Sequence, residues 1–267
     1  METLSQQIPI IENEEVFPLS EQGYFVSEEE YWEKYYGMSD RAYEWNNGIL
    51  EEKPMGDYLS FLMYRWFCSL LEEYLANCPV GRLVGLEIGF RLAIPGKTSV
   101  RKPDLAIVLN ENPVPVDLYD RSYKGIFDMC FEFLSDSDPG EAERDTVTKK
   151  SEYCRSGVKE YFILDRKGAE TAFYRLYHRG SYSEIRPVSG DVICSAVLPG
   201  FQFRIRDLYC RPSIVGLSDD PVYREFVSRE YQEIRLLAEK ERQRAEEAEQ
   251  RAERLAARLR ELGIEDI

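Results

Sequence analysis

Met129-Cys130-Phe131-Glu132-Phe133-Leu134 decides the fold, because a carboxylate sits in the middle of an otherwise apolar run. Six such residues read as a short buried strand. Asp128 bounds it on one side and the polar turn Ser135-Asp136-Ser137-Asp138-Pro139-Gly140 on the other. An ionised Glu buried there costs several kcal/mol unless a cation meets it. Along the strand, Cys130, Glu132 and Leu134 share one face, and Met129, Phe131 and Phe133 share the other. Upstream, Pro103-Asp104 opens a second apolar run, Leu105 to Leu109, with Pro confined to the strand's start as a sheet demands.

Beyond the turn, the text predicts a helix from about Ala142 to Ser156, ended by Gly157. Asp145, Lys149 and Tyr153 stand at i, i+4 and i+8 on it, hence on one stripe. Tyr161 to Leu164 is a further core strand. Strand, helix and strand make a crossover unit, so at least part of the sheet is parallel and Lys149 can reach toward Glu132.

Working outward, Ser27-Glu28-Glu29-Glu30 is a capping box for a short helix through Tyr35. Asn46-Asn47-Gly48 predicts a hairpin turn between Tyr43–Trp45 and Ile49–Glu51. Apolar residues spaced three and four apart predict a helix from Leu59 to Leu75. Strands follow at about Arg82 to Ile94, and later at Thr171 to Tyr177 and on to Ile205. The class is α/β, a mixed sheet flanked by helices, over residues 21–215 after a loose leader at 1–20.

From 223 to 262 the pattern changes. Tyr231, Ile234, Ala238, Glu241, Ala245, Ala248, Ala252, Leu255, Leu259 and Leu262 repeat at 3 and 4, a heptad seam that predicts a long helix or coiled coil. Arg224 to Ile267 holds 10 basic and 12 acidic residues, so −13 of the net −15 falls on the rest of the chain. Such a balance disfavours casual nucleic-acid binding but suits clustered carboxylates that bind cations.

His178 is the only histidine, which removes His-based metal cages and Ser-His-Asp triads. The six cysteines form no CxxC pair and read as reduced, largely buried thiols. No apolar run approaches the ~20 residues of a membrane span, and the polar start carries no secretory pattern. The expected compartment is the cytoplasm.

Two readings of the acids stand open from the residues alone. In one, Asp104 and Glu132 hold a divalent cation and Lys149 faces a phosphodiester. In the other, Glu132 belongs to a buried ion pair and Asp145–Lys149 is a surface pair. Glu87 and Glu111 are lone acids that read as surface groups. Tyr174 to Tyr182 interleaves aromatic and basic residues, which an antiparallel strand pair explains more simply than phosphate contact.

Several segments resemble the Uma-type putative restriction endonuclease family, abundant in cyanobacteria and part of the PD-(D/E)xK nuclease superfamily. They are Tyr43-Glu44-Trp45-Asn46-Asn47-Gly48, Pro103-Asp104-Leu105, Phe131 to Ser135, the Asp145/Lys149/Tyr153 spacing, and Gly157 to Asp165, in order over about residues 24–210. The heptad tail ending in Arg-Leu-Arg-Glu-Leu-Gly-Ile also resembles many members. The resemblance implies a four-stranded mixed sheet, Asp104 and Glu132 as ligands of Mg²⁺ or Mn²⁺, and Lys149 as the catalytic cation. Glu44, Asp145 and Tyr153 are implied accessories. The superfamily's Lys normally stands two residues after the Glu, where this chain has Leu134, and Gly56-Asp57-Tyr58 stands where members often carry a His. The expected activity is metal-dependent DNA endonuclease cleavage by a homodimer or higher oligomer. The alternative is a catalytically quiet nuclease fold that assembles through its coiled coil.

Overall fold

The computed structural model describes residues 19–54, 56–85, 87–134, 139–177, 180–227 and 229–261, excepting the side chains of 139, 229–236, 256–257 and 259–261. The leader up to residue 18, the turn Ser135–Asp138, His178 and seam residue Leu262 lie outside the described residues. Contacts divide the chain into one unit through Lys53 and another from Pro54.

In the first unit, the Ser27 hydroxyl accepts the Glu30 N–H at 3.1 Å and starts helix α1 (Glu28–Glu30), which continues as the π-helical segment Tyr31–Tyr35. Three acids in its first turn suit the positive end of a helix. Strands β1 (Tyr43–Asn46) and β2 (Ile49–Glu52) pair with Asn46 opposite Ile49. The loop is therefore Asn47-Gly48, at φ 49° and 104°, the left-handed pair that matches the twist of a tight hairpin. Asn46, expected in the turn, is the last residue of the strand. Tyr31, Tyr35, Tyr43, Trp45 and Leu50 are buried, with the Tyr31 hydroxyl donating to the Tyr43 carbonyl at 2.8 Å.

The second unit opens with α2 (Tyr58–Asn77), capped by the Asp57 carboxylate, which accepts the Ser60 N–H at 2.8 Å. The run expected as one strand from Arg82 to Ile94 is two, β3 (Gly81–Gly85) and β4 (Gly89–Ile94), parted where Glu87 turns left-handed at φ 66°. A turn at Gly96 (φ 79°) then returns β5 (Lys97–Arg101), a strand missing from the sequence reading, antiparallel to β4. Next come β6 (Leu105–Leu109), β7 (Ser122–Tyr123), which pairs in parallel with β4, and β8 (Met129–Leu134). The crossover is α3 (Pro139–Glu143), a π-helical turn over Arg144–Lys149, and α4 (Lys150–Ser156), closed by Gly157 in the left-handed region at φ 97°. Then follow β9 (Glu160–Asp165), β10 (Ala172–Tyr177), β11 (Ser181–Glu184), the hairpin of β12 (Val192–Cys194) and β13 (Gln202–Arg204), α5 (Asp207–Cys210) and α6 (Arg229–Glu261).

The principal sheet runs β11-β10-β9-β8-β6-β3, with β8 and β9 parallel and the other neighbours antiparallel. It has six strands and not the four that the resemblance implied, with β3 at one edge beside β6 and β11 at the other beside β10. Alternation along the strands feeds two cores. Leu105, Ile107, Met129, Phe131, Phe162 and Leu164 pack with α2 side chains such as Phe67 and Leu70. Ala106, Val108, Cys130, Tyr161 and Ile163 pack on the other face with Tyr153 and Val158 at the end of the crossover. Central strands covered on both faces lose the polar alternation of a half-exposed sheet, which is why β6, β8 and β9 read as apolar runs.

Buried Tyr223, Phe226 and Val227 carry the first core beyond residue 215, with the Phe226 ring 5.5 Å from that of Tyr74. Beyond them α6 is one helix, and its described side chains from 237 to 255 are exposed, including Leu237 and Leu255. Among the described residues, no helix is long and apolar enough to cross a membrane. The cysteines are free thiols, but only Cys130 is buried and Cys210 is exposed, so the expectation of burial holds for one of them.

Candidate active site

Glu132 stands fourth in β8, opposite Ile163 of β9. Its face is the one the crossover helix covers, and the expected stripe meets it. The Lys149 ammonium lies 3.1 Å from Glu132 Oε1, and the Tyr153 hydroxyl donates to the same oxygen at 3.0 Å. Asp145 Oδ1 lies 3.0 Å from Lys149 Nζ, within ion-pair reach though off the hydrogen-bond angle. Glu132 and Lys149 are 2% and 1% exposed, so Glu132 sits in a buried ion pair, as the simpler reading has it, while Asp145, 7% exposed, and Lys149 are not the surface pair that reading adds. Such a pair balances a desolvation cost of several kcal/mol per ion against attraction and hydrogen bonds, so it survives only with its members complete.

Lys149 and Asp145 both belong to the π-helical turn, a device that recurs at functional sites. The Tyr161 hydroxyl donates to the Asp145 carbonyl at 2.9 Å and helps hold this turn. Burial, together with the charges of Glu132 and Asp145, pushes the Tyr161 hydroxyl well above the ordinary tyrosine value. It therefore stays a donor. Burial likewise raises the Cys130 thiol, with Glu132 adding to the effect. The Tyr153 ring is fully buried, 5.0 Å from Tyr161 and 5.7 Å from Phe90, which fixes where its hydroxyl points.

Asp104 immediately precedes β6, the strand beside β8. Leu105 pairs with Phe131, and one further step of that register sets Asp104 opposite Glu132. The Asp104 N–H donates to the Phe131 carbonyl at 3.1 Å, and its Oδ2 accepts the Phe133 N–H at 2.8 Å. Asp104 and Phe133 are half-buried while Glu132, Lys149 and Tyr153 are buried, so solvent reaches this group from the Asp104 end. Among the described residues, no three His, Cys, Asp or Glu side chains converge as a cage for an ion. Two carboxylates on neighbouring strands, Asp104 just before β6 and Glu132 within β8, are a different donor set. They suit an ion such as Mg²⁺, which takes one or two carboxylates and fills its octahedron with water and substrate oxygens.

Glu44 is fully buried on β1, in the first unit. Glu87 and Glu111 are exposed, the latter 3.7 Å from Lys159. Tyr174 and Tyr182 stack at 6.0 Å across the β10–β11 pair, and Arg175 is bound to Glu160 at 2.7 Å, as the strand-pair reading has it.

Sequence reasoning missed a second buried ion pair. Arg101, fully buried, donates to both oxygens of Glu152 at 2.6 and 3.0 Å, and Lys97 joins the same carboxylate. This clamps β5 to α4, one residue before Tyr153. Burial raises the Glu152 carboxyl, but Arg101 and then Lys97 outweigh it and leave the group below its ordinary 4.5. A carboxyl depressed in the folded state stabilises above its unfolded value, and that stability is lost as pH falls through the lower folded value. Urea midpoints should therefore drop as pH falls from about 4.5. Glu152→Gln should be less stable at pH 7 and show a shallower acid slope, and equal slopes in both proteins would sink this assignment. Lys102, 3% exposed and two residues before Asp104, was also missed. The signal was present in Arg101-Lys102-Pro103-Asp104, a basic pair placed directly before a candidate ligand.

With the geometry in hand, the chain can be set beside known proteins. The sequence model of a family described as "Uma2: Putative restriction endonuclease" matches residues 29–206. Among solved structures, the fold is similar to a "putative nuclease belonging to DUF820 from Anabaena variabilis ATCC 29413". That likeness has a TM-score of 0.51 at 16% identity, covers 65% of this chain and 92% of the other, and speaks to the fold alone. No curated protein gives a significant sequence match.

Proposed function

Because the chain belongs to the Uma2 family of putative restriction endonucleases, we propose that it is a divalent-metal-dependent DNA endonuclease whose centre is Asp104, Glu132 and Lys149. The observation that carries this reading is the buried contact of Lys149 with Glu132 at 3.1 Å, on a strand whose neighbour, β6, directly follows Asp104. Asp104 and Glu132 would hold Mg²⁺ or Mn²⁺, and when bound such an ion lowers the pKa of a water and neutralises charge on a phosphate. The Phe133 N–H orients the Asp104 carboxylate, and the Tyr153 hydroxyl orients Glu132. Asp145 holds Lys149 from its other side, at 3.0 Å. A protonated Lys149 is then the chain's own group for stabilising the extra negative charge of a phosphoryl transition state. Leu134, standing at the superfamily's usual Lys position, makes Lys149 from the crossover helix the replacement.

The test is nicking of supercoiled plasmid by the purified full chain at low salt with Mg²⁺ or Mn²⁺, with EDTA as control. Intact plasmid under every condition would defeat the proposal. It would favour the second reading, a catalytically quiet fold that works through assembly. The near-complete burial of Glu132 and Lys149 supports that second reading, since a structural pair needs no opening to solvent.

In either case we propose that the heptad segment joins copies of this chain in the cytoplasm, because a seam that includes Ala252, Leu255, Leu259 and Leu262 gains by burial. Tyr223, Phe226 and Val227 belong to the core, so a clean deletion starts after Val227. Light scattering should show that deletion lowering the assembly from a dimer or higher to a monomer. A monomer before and after the deletion contradicts it.

A further inference from the structure

Away from Glu132, the outer flank of α2 and the segment after α5 enclose an open groove of about 560 Å³, lined by Arg65, Trp66, Ser69, Arg211, Ser213 and their neighbours. No acid is among the described residues that line it, in a chain with 49 acids and 34 bases. Neither guanidinium has a carboxylate within ion-pair reach among the described residues, whereas Arg101, Arg175 and Arg204 are each bound to one. The floor is firm, since Trp66 is buried and its indole N–H donates to the Pro212 carbonyl at 2.8 Å. Arg211 is held in the left-handed region at φ 48°, a conformation that costs a non-glycine residue free energy, and its N–H donates to the Asp207 carbonyl at 2.8 Å. The bend that brings this arginine to the groove is therefore kept against its own local preference.

We propose that this groove binds a phosphoryl group through Arg65 and Arg211, with the Ser69 hydroxyl as a further donor, and that the phosphate belongs to the backbone of the DNA of the proposed nuclease. The inference rests on that reading for its source of phosphate and not for its chemistry. Two arginines lining one groove with no acid among its described residues match an oxyanion electrostatically, and Arg gives planar paired donors where Lys gives a point charge. A surface otherwise dominated by acid needs such a local reversal of sign to hold a polyanion at all. The groove would then fix the position of the strand and read no base.

The probe is a fluorescein-labelled DNA duplex, its binding followed by anisotropy in EDTA so that no cleavage intervenes. The variants are Arg65→Gln, Arg211→Gly and the pair, with Arg65→Lys as the conservative variant. Arg211→Gly relieves the left-handed strain and should keep or raise the melting temperature, so a loss of binding in it is not a loss of fold. The paired variant should bind about tenfold or more weakly, with the slope of log affinity against log salt smaller by roughly one unit, the change for one phosphate contact. Arg65→Lys should recover part of the affinity. Equal affinity and equal slope in wild type and the paired variant overturn the proposal. If wild type binds no duplex, inorganic phosphate and a mononucleotide are titrated while melting is followed. Stabilisation of wild type but not of the pair keeps the phosphoryl site and overturns DNA as its source, while stabilisation of neither overturns the site. Loss of plasmid nicking with duplex binding intact defeats the nuclease reading and leaves the groove standing.

Discussion

Glu132→Gln should abolish the proposed metal-dependent plasmid cleavage and leave the protein folded. The amide keeps the shape of the carboxylate and an oxygen for the Tyr153 hydroxyl, which sits 3.0 Å away. It removes the charge that a cation and Lys149 both need. Asp104→Ala should give the same loss from the neighbouring strand. Lys149→Ala should leave the ligands in place and cut the rate by about 10²-fold, the usual cost of one transition-state charge stabiliser. Nicking is measured at equal protein and metal, with melting followed alongside. Activity in Glu132→Gln within a few-fold of wild type would remove Glu132 from the centre.

Lys149→Met carries the largest expected loss of stability. The ammonium is the cation lying between Glu132 and Asp145, at 3.1 and 3.0 Å, in surroundings almost closed to water. Removing one partner of a buried pair strands the other charge, at a cost of about 3–5 kcal/mol. For a body of this size that is a fall in melting temperature on the order of 10 °C. Pairing the change with Glu132→Gln should restore part of the loss, because it removes one of the two stranded charges. A melting temperature within a degree of wild type at pH 7 would show that the pair contributes nothing to the fold.

What the sequence disclosed and what it hid divide along a physical line. Glu132 stood out because a carboxylate among Cys130, Phe131 and Phe133 demands a partner, and the stripe of Asp145, Lys149 and Tyr153 named that partner before any coordinates. The hairpin at Asn47-Gly48 was legible because few residues take positive φ cheaply. Arg101 was not, because Lys97 to Arg101 looks like an exposed polar run and its meaning lies 51 positions away in Glu152. Glu160 was equally opaque. Fully buried at the edge of β9, it accepts from Arg175, the Ser195 hydroxyl at 2.6 Å and the Ala196 N–H at 2.9 Å, ties that exist only once β12 is in place. The block Gly157 to Tyr161 that carried the family resemblance is explained piece by piece as structure. Gly157 takes the left-handed cap, Val158 fills the core, Lys159 meets Asp128 at 2.8 Å, Glu160 ties strands together and Tyr161 holds the crossover turn. Local rules reveal what a residue needs, and only the fold reveals where a distant residue supplies it.

The wide turn at Arg144–Lys149 sets the angular phase of the centre. In an ordinary α-helix, residues four apart run ahead of one another by about 40°, so positions i and i+8 diverge by about 80°. A π-helical turn takes up an extra residue, sets the rotation back, and brings Asp145, Lys149 and Tyr153 nearly into line. The stripe is straight because the helix is interrupted. Losing a single residue from that turn would let the segment return to α-helical winding with the flanking helix nearly unrotated, because one residue fewer at about 100° each turns through almost the same angle as the wide turn. Asp145 and Lys149 would then stand three positions and about 60° apart, whereas substitution of an exposed residue such as Val147 leaves their spacing alone. Chain length at this point works as a vernier for the spacing of Asp145 and Lys149.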